Sequence, residues 1–297
     1  MILKICLPET FLAMRIITIV LLLFCITAAA QEPAATLGYD YSSIYNSTSA
    51  GLTRHNADFS LNSKPVKVSA GVSVYGIEYN QENAPYYSSA IQNITAIYAS
   101  GTYSHAINNN WAATATFTPK VVSDLKNTGI KDVYPGFFAG FTYKPSEEKS
   151  TSLTFGAGYN GYFGKYRFMP VVNFSGNIND KASFNIGIPA TWVSYKLSTT
   201  HSLKALVATD GFYSRFTVDE TNGLYNTTAT THNLEMVNIN SGLEYAYQSG
   251  TEWMALVRAG YSLYNKLSMP YAGGVSDIGF KNNLYISAGF KYNLNFK

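Results

Sequence analysis

The segment LYISAGFKYNLNF, residues 284–296, decides the fold because its side chains alternate strictly in character. One face is apolar and consists of Leu284, Ile286, Ala288, Phe290, Tyr292, Leu294 and Phe296. The other face consists of Tyr285, Ser287, Gly289, Lys291, Asn293 and Asn295. A period of two is that of a β-strand, whose successive side chains point to opposite faces of the sheet. The run exceeds the ~5–6 residues of an ordinary strand and suffices for the ~9–11 needed to cross a bilayer.

The same alternation returns along most of the chain. It is clear in residues 66–74, 111–121, 237–247 and 253–263, where apolar residues alternate mainly with Gly, Ser, Thr, Asn and Lys. No convincing helical periodicity follows residue 30. The pattern therefore predicts an all-β protein whose long strands have one apolar face and one polar face.

The composition excludes several classes of protein. Charged residues make up 13% of the 297 residues, against roughly 25% in soluble globular domains, whereas aromatic residues reach 15%. An ordinary cytosolic helical enzyme would carry more surface charge, and a disordered chain would carry fewer apolar residues. Because no Lys/Arg-rich run is present, we expect no nucleic-acid partner. Both cysteines, Cys6 and Cys25, lie near the start of the chain, so we expect no disulfide framework beyond residue 30.

Residues 1–30 have the pattern of a secretory signal peptide. Arg15 precedes an apolar run of about 11 residues at 16–26, and three alanines occupy positions 28–30. The run is shorter than the ~20 residues of a membrane-spanning helix, which argues against an uncleaved anchor. We expect cleavage before Gln31, with Met14 as an alternative start.

Residues 31–297 are predicted to form one transmembrane antiparallel up-and-down β-barrel of about 14 strands. The predicted strands are 36–46, 55–63, 66–80, 92–106, 111–121, 135–144, 151–162, 166–177, 182–188, 190–198, 202–217, 231–247, 252–265 and 279–296. If the first strand starts in the periplasm, the connections on that side are all short. The long connections fall on the opposite side, at 47–54, 81–91, 122–134, 218–230 and 266–278. Short periplasmic turns and long external loops are typical of outer-membrane barrels.

Two alternatives to this barrel remain open. Pro189 interrupts the alternation of residues 182–198, and a single kinked strand there would favour 12 strands over 14. A secreted soluble β-sandwich would explain the alternation, but it would explain neither the strand length nor the low charge.

Few charged residues fall on the predicted inward face. The candidates that line the lumen are Lys67, Lys120, Lys144, Lys204, Glu244, Arg258 and Lys291, and Lys196 and Glu78 are assigned to the same face. Charges that face a lumen can give a pore a mild preference for anions. They can equally pair with one another and stabilise a filled interior.

The sequence gives no support for catalysis or metal binding, so we predict no enzyme and no cofactor. Ser104 and His105 are neighbours, and neighbours on a strand point to opposite faces. The other histidines, His55, His201 and His232, show no catalytic motif and no metal-ligand spacing. No catalytic, cofactor-binding or metal-binding residue is predicted.

The C-terminal residues Phe290, Tyr292, Leu294 and Phe296 resemble the signal strand that the bacterial barrel-assembly machinery recognises, although the chain continues to Lys297. More narrowly, the chain resembles an uncharacterised family of outer-membrane β-barrels in Bacteroidota. The resemblance rests on residues 72–79, 169–174 and 184–190 and on the tail. It implies a location in the cell outer membrane, with membrane lipid and the assembly machinery as partners. The family has no assigned activity, so the resemblance assigns no functional residue.

The leading functional hypothesis is a passive pore or small-solute transport channel. A barrel of 14 strands encloses more space than the eight-stranded barrels whose side chains fill the interior. The alternative is a structural or partner-binding barrel with a blocked lumen and adhesive external loops. The sequence does not identify the solute.

Overall fold

The computed structural model describes residues 34–44, 50–79, 92–126, 128–145, 150–222, 226–271, 274–278 and 282–295. The predicted signal peptide at 1–30 and the aromatic residue Phe296 lie outside the described residues. No helix in the described ranges is long and apolar enough to cross a membrane.

The described residues form fifteen strands, of which fourteen build the wall of a closed barrel. The strands are β1 (Ala34–Ile44), β2 (Ala50–Ser63), β3 (Val66–Tyr79), β4 (Asn93–Ala106), β5 (Trp111–Ser123), β6 (Val133–Tyr143), β7 (Ser152–Asn160), β8 (Arg167–Asn177), β9 (Ala182–Gly187), β10 (Ala190–Lys196), β11 (His201–Asn222), β12 (Asn226–Ser249), β13 (Trp253–Tyr271), β14 (Gly274–Ile278) and β15 (Leu284–Asn295). Neighbouring wall strands are antiparallel, whereas β14 pairs only with the extension of β13. The predicted up-and-down barrel of 14 strands is therefore confirmed.

The pairing of β1 with β15 closes the barrel. Its register runs without interruption from Ala34 opposite Asn295 to Ile44 opposite Tyr285. On its other edge β15 pairs with β13, so the first and last strands join one continuous antiparallel wall. Closure leaves no edge strand exposed along this seam, which a barrel in lipid requires because lipid offers backbone groups no partner.

The region of Pro189 is a tight turn between two short strands. β9 ends at Gly187, and β10 begins at Ala190. The Thr191 hydroxyl donates to the Gly187 carbonyl oxygen at 3.0 Å, and the Thr209 N–H donates to the Pro189 carbonyl oxygen at 2.9 Å. Because the turn separates β9 from β10, the count of 14 strands holds and the alternative of 12 is excluded.

Two predicted long loops are instead largely strand, so those loop boundaries were wrong. β11 and β12 remain paired as far as Asn222 opposite Asn226, across most of the predicted loop at 218–230. β13 continues to Tyr271 and returns as β14, within the predicted loop at 266–278. Residues 227–231 contain four threonines, whose β-branched side chains favour strands. This propensity explains why the strands extend into the predicted loop.

The two faces of the wall differ as the alternation predicts. Large apolar side chains cover the outer face, among them Leu37, Ile97, Phe117, Phe141, Val172, Ile186, Val193, Leu243, Val257 and Ile286. On the inner face, hydroxyl groups pair across strands, as between Thr102 and Thr116 at 3.0 Å and between Thr142 and Thr154 at 2.8 Å. The outer face is thus apolar, and on these strands the inner face carries hydrogen-bonded polar groups.

Aromatic pairs mark the end of the barrel at which the turns are short. The Trp111 and Tyr143 rings lie 4.8 Å apart, and the Trp253 and Tyr292 rings lie 4.5 Å apart. Each pair is directly opposite in register. Such rings match the aromatic girdles of membrane barrels.

The wall is uneven in height because strands β6–β10 are shorter than most of the other wall strands. β11 bends over the ends of these short strands. β11 leaves β10 after Ala208 and then meets the end of β5, where Arg215 lies opposite Ser123 and the Ser214 hydroxyl donates to the Val122 carbonyl oxygen at 3.2 Å. The shorter strands β6–β10 therefore form a side lobe beneath this crossing. At Gly211 a Cβ would lie 2.7 Å from the Met236 carbonyl oxygen on β12 and 3.2 Å from the Tyr162 carbonyl oxygen, so a side chain there would clash on both sides.

Substitution of Val257 by Arg tests which face meets hydrocarbon. Val257 points outward midway between the aromatic end at Trp253 and the outward residue Leu263. We expect Val257→Arg to lower the free energy of unfolding in lipid vesicles by about 2–4 kcal/mol, because a charge at mid-bilayer is poorly solvated. The control Leu263→Arg, nearer the interface, should cost no more than about 1 kcal/mol. Urea titrations of both variants measure the difference, and equal losses would contradict the placement of the membrane.

Candidate functional site

The interior of the barrel is the candidate site, and the strand register defines which residues face it. The sequence-predicted candidates Lys67, Lys120, Lys144, Lys204, Glu244, Arg258 and Lys291 all have the parity of the inward face, as does Lys196. Glu78 does not: it has the parity of Val72 and Val74, whose side chains point outward, so its inward assignment was wrong.

Lys204, Glu244 and Arg258 meet in one ionic cluster. They lie directly opposite one another on β11, β12 and β13, so the register alone brings them together. The Glu244 side chain is only 4% exposed. It accepts hydrogen bonds from the Lys204 ammonium at 2.5 Å and from the Arg258 guanidinium. Arg258 also donates to the Tyr285 hydroxyl at 3.1 Å, so one buried carboxylate is shared by two cations.

A second ionic cluster spans the lumen and was not predicted. The Arg54 guanidinium donates to Asp40 at 2.7 Å and to Asp210 at 2.6 Å. The Tyr75 hydroxyl donates to the other Asp210 oxygen at 3.1 Å, and the Asn56 amide donates to Asp40 at 2.9 Å. Because Arg54 lies on β2 and Asp210 on β11, this cluster ties opposite parts of the wall together.

The sequence held some signal for this second cluster. Asp40 falls within the alternation of β1, and Asp210 has the same parity as Lys204 on β11. Arg54 was missed because residues 47–54 were assigned to a loop, although β2 begins at Ala50. The bend of β11 decides which inward residues meet across the lumen. The local alternation of side chains contains no information about this bend.

Packed apolar side chains narrow the lumen toward the end with long loops. The cluster lies on the inward face and contains Ile44, Leu52, Tyr75, Ile77, Ile94, Ala96, Val122, Phe212, Phe216, Leu234, Met236, Leu267 and Tyr285. Along β11, Lys204 comes first, Asp210 follows, and the buried Phe212 and Phe216 come last. The lumen therefore passes from charged to apolar along its axis.

Two cavities lie beside this constriction. A polar cavity of about 200 Å³ borders both ionic clusters and Lys291. A larger cavity of about 460 Å³ lies in the side lobe, beneath the crossing of β11. Tyr162 and Tyr166, in the loop between β7 and β8, line part of it. Burial, and to a lesser extent the neighbouring Tyr162 and Tyr159, raises the pKa of Tyr166 to about 12, so this hydroxyl stays protonated at neutral pH.

The described histidines contact aromatic rings and form no catalytic arrangement. His55 Nδ1 lies 2.9 Å from the Tyr39 hydroxyl, and His201 Nδ1 lies 2.6 Å from the Tyr245 hydroxyl. His105 stacks on Tyr103, on the face opposite Ser104. Within the residues that the structure describes, no group of three or more His, Cys, Asp or Glu side chains could hold a metal ion.

A closed antiparallel barrel with an apolar outside and a polar inside belongs to the class of transmembrane β-barrels. Residues 54–293 match the family model described as domain of unknown function DUF6268. The chain therefore belongs to the DUF6268 family.

Among solved structures, the chain is similar, at low sequence identity, to outer-membrane channels. The KdgM porin in complex with disordered oligogalacturonate has 9% identity and a TM-score of 0.37, over 88% of this chain and 99% of that one. An outer-membrane channel from Pseudomonas putida F1 has 10% identity and a TM-score of 0.40, over 89% and 96%. The P. putida toluene transporter TodX has 10% identity and a TM-score of 0.36, over 91% and 92%. No curated protein sequence matches the chain.

Substitution of Glu244 by Gln tests the first ionic cluster. The change leaves the Lys204 and Arg258 charges without their shared carboxylate, and removing one partner of a buried ion pair typically costs about 3–5 kcal/mol. We expect Glu244→Gln to lose stability on that scale in urea unfolding monitored by gel mobility.

The control for that measurement is Asp180→Asn in the exposed turn between β8 and β9. It should change the free energy of unfolding by less than about 0.5 kcal/mol. Equal stability of both variants would mean that Glu244 does not hold the cluster together.

Proposed function

We propose that this protein is an outer-membrane barrel through which small solutes pass passively along a constricted lumen. The observation that carries the proposal is the inward face: charged residues line it, and cavities of about 200 and 460 Å³ flank the apolar constriction. Fourteen strands enclose more space than their own side chains fill, and that space persists here beside the packed cluster. The described histidines all contact aromatic side chains, which favours transport over catalysis.

We also propose where the protein is located in the cell and how it reaches that location. Export would follow cleavage after residue 30, and the assembly machinery would then recognise the last strand. Phe290, Tyr292 and Leu294 support this because they lie on the outward face of β15, the strand that closes the barrel on β1. We assign the chain to the outer membrane of a bacterium of the Bacteroidota type, on the resemblance of its strand segments.

A second candidate function is a closed barrel that binds a partner through its external loops. The apolar cluster favours this candidate, because its buried side chains fill the lumen toward the end with long loops. The two candidates differ in conductance. A constricted channel passes ions in small steps, whereas a filled barrel passes none.

Planar bilayer recording of the full chain decides between them. We expect small stepwise currents from the wild type. We expect larger steps from Phe212→Ala combined with Leu234→Ala, because both side chains are buried in the constriction. The control Phe117→Ala removes the same ring from the outer face and should leave the step size unchanged. Silence from folded wild type and from the folded double variant would exclude the channel and favour the closed barrel.

Lys291→Glu tests whether the charges at the short-turn end influence the permeating ions. Lys291 borders the polar cavity, so reversing its charge should shift the reversal potential in a salt gradient toward cation preference. The matched control is Lys181→Glu, in the exposed turn before β9. If both variants keep the wild-type reversal potential, the permeating ions do not pass Lys291.

A further inference from the structure

The cavity in the side lobe has a largely apolar lining that also contains the ammonium group of a lysine. Its apolar part includes Phe138, Val171 and Phe212, together with the ring of Tyr98. Tyr98 lies across Gly71, where a Cβ would come within 2.6 Å of the ring. The volume of about 460 Å³ falls in the ~300–1,000 Å³ range of small-molecule sites. The cavity is thus large enough for an organic molecule.

Lys120 is the charged group in this lining. It lies on β5, between the register positions of Tyr98 and Tyr134 on the two flanking strands. Its side chain is partly buried in the wall, and it borders the cavity. Within the described part of the chain, no hydrogen bond or ion pair engages its ammonium. Lys120 therefore differs from Arg54, Lys204 and Arg258, each of which has a carboxylate partner.

One nearby carboxylate and two nearby hydroxyl groups are already engaged. Asp210, the carboxylate whose charge acts on Lys120, accepts from Arg54 and Tyr75. The hydroxyls of Thr116 and Thr118 pair with Thr102 and Ser100 on β4, at 3.0 and 2.7 Å. A partly buried ammonium without a partner loses hydration, and a counter-anion in the cavity would offset that cost.

We propose that the side-lobe cavity binds a small amphipathic monoanion, a carboxylate carried on an aromatic or short alkyl body. The carboxylate pairs with the Lys120 ammonium, and the body packs against Phe138, Val171 and Phe212. This inference rests on the proposed transport function, since it names the class of solute that the channel takes up. Binding of the anion at Lys120 and conduction of ions through the lumen are measured in different assays, so each can be tested independently.

Calorimetric titration of the full chain in detergent, with 2-naphthoate as the probe, tests the site. The neutral 2-naphthamide has the same aromatic body and reports on apolar packing alone. We expect the wild type to bind naphthoate more tightly than naphthamide. Lys120→Met should lower naphthoate affinity about tenfold or more and leave naphthamide affinity unchanged, because one charge-assisted contact is removed. Lys120→Arg should retain most of the naphthoate affinity.

Two control variants separate the site from general effects. Lys67→Met removes an inward lysine near the short turn before β3, away from the cavity, and should bind both probes like the wild type. Val171→Trp fills the cavity but keeps Lys120, and should weaken both probes. Retention of heat-modifiable gel mobility confirms that each variant is folded.

The outcomes distinguish the two proposals. Charge-dependent binding in a barrel that conducts nothing would remove the transport function and leave the binding site in place. Conduction together with equal binding of naphthoate and naphthamide would overturn the site and keep the channel. Unchanged naphthoate affinity in folded Lys120→Met would also overturn it.

Discussion

The antiparallel closure of β1 on β15 is the constraint on which the rest of the barrel depends. The register of this seam fixes which residues of β1 and β15 face inward, because strand side chains alternate with a period of two. A slip of one residue would carry the apolar outer face inward and the charges into lipid. The hydrophobic contrast between the two faces therefore selects the register, and the register then positions the inward charges.

The two ionic clusters show what a sequence pattern can and cannot reveal. Lys204, Glu244 and Arg258 meet because neighbouring strands place them side by side, so alternation alone assigned them to one face. Arg54 and Asp210 are 156 positions apart and meet across the lumen. Their contact needs the bend of β11 away from β10 and toward β5. Alternation is a local property, and it contains no information about that bend.

The same distinction explains the fold predictions that succeeded and those that failed. Fourteen wall strands follow from periodicity and from the turn at Pro189, both of which are local. The extension of β11 and β12 beyond residue 217 was missed because the sequence there lacks a regular apolar alternation. In a tall hairpin, backbone pairing and β-branched propensity suffice without an apolar face. Strand ends that rise above a membrane are therefore the part of a barrel that hydrophobic alternation predicts least well.

The charges that face the lumen have two roles. Those in the two ionic clusters stabilise the wall, and Lys120 is the charge that we propose contacts the solute. Glu244 balances two cations, and Arg54 balances two carboxylates, so together these clusters carry no net charge and rigidify the wall. The bend of β11 places Phe212 between these clusters and the side lobe, where it borders the larger cavity. Lys120 faces that cavity without a carboxylate partner. A charge that the fold does not neutralise can select a ligand, because an arriving anion supplies the counter-charge that it lacks.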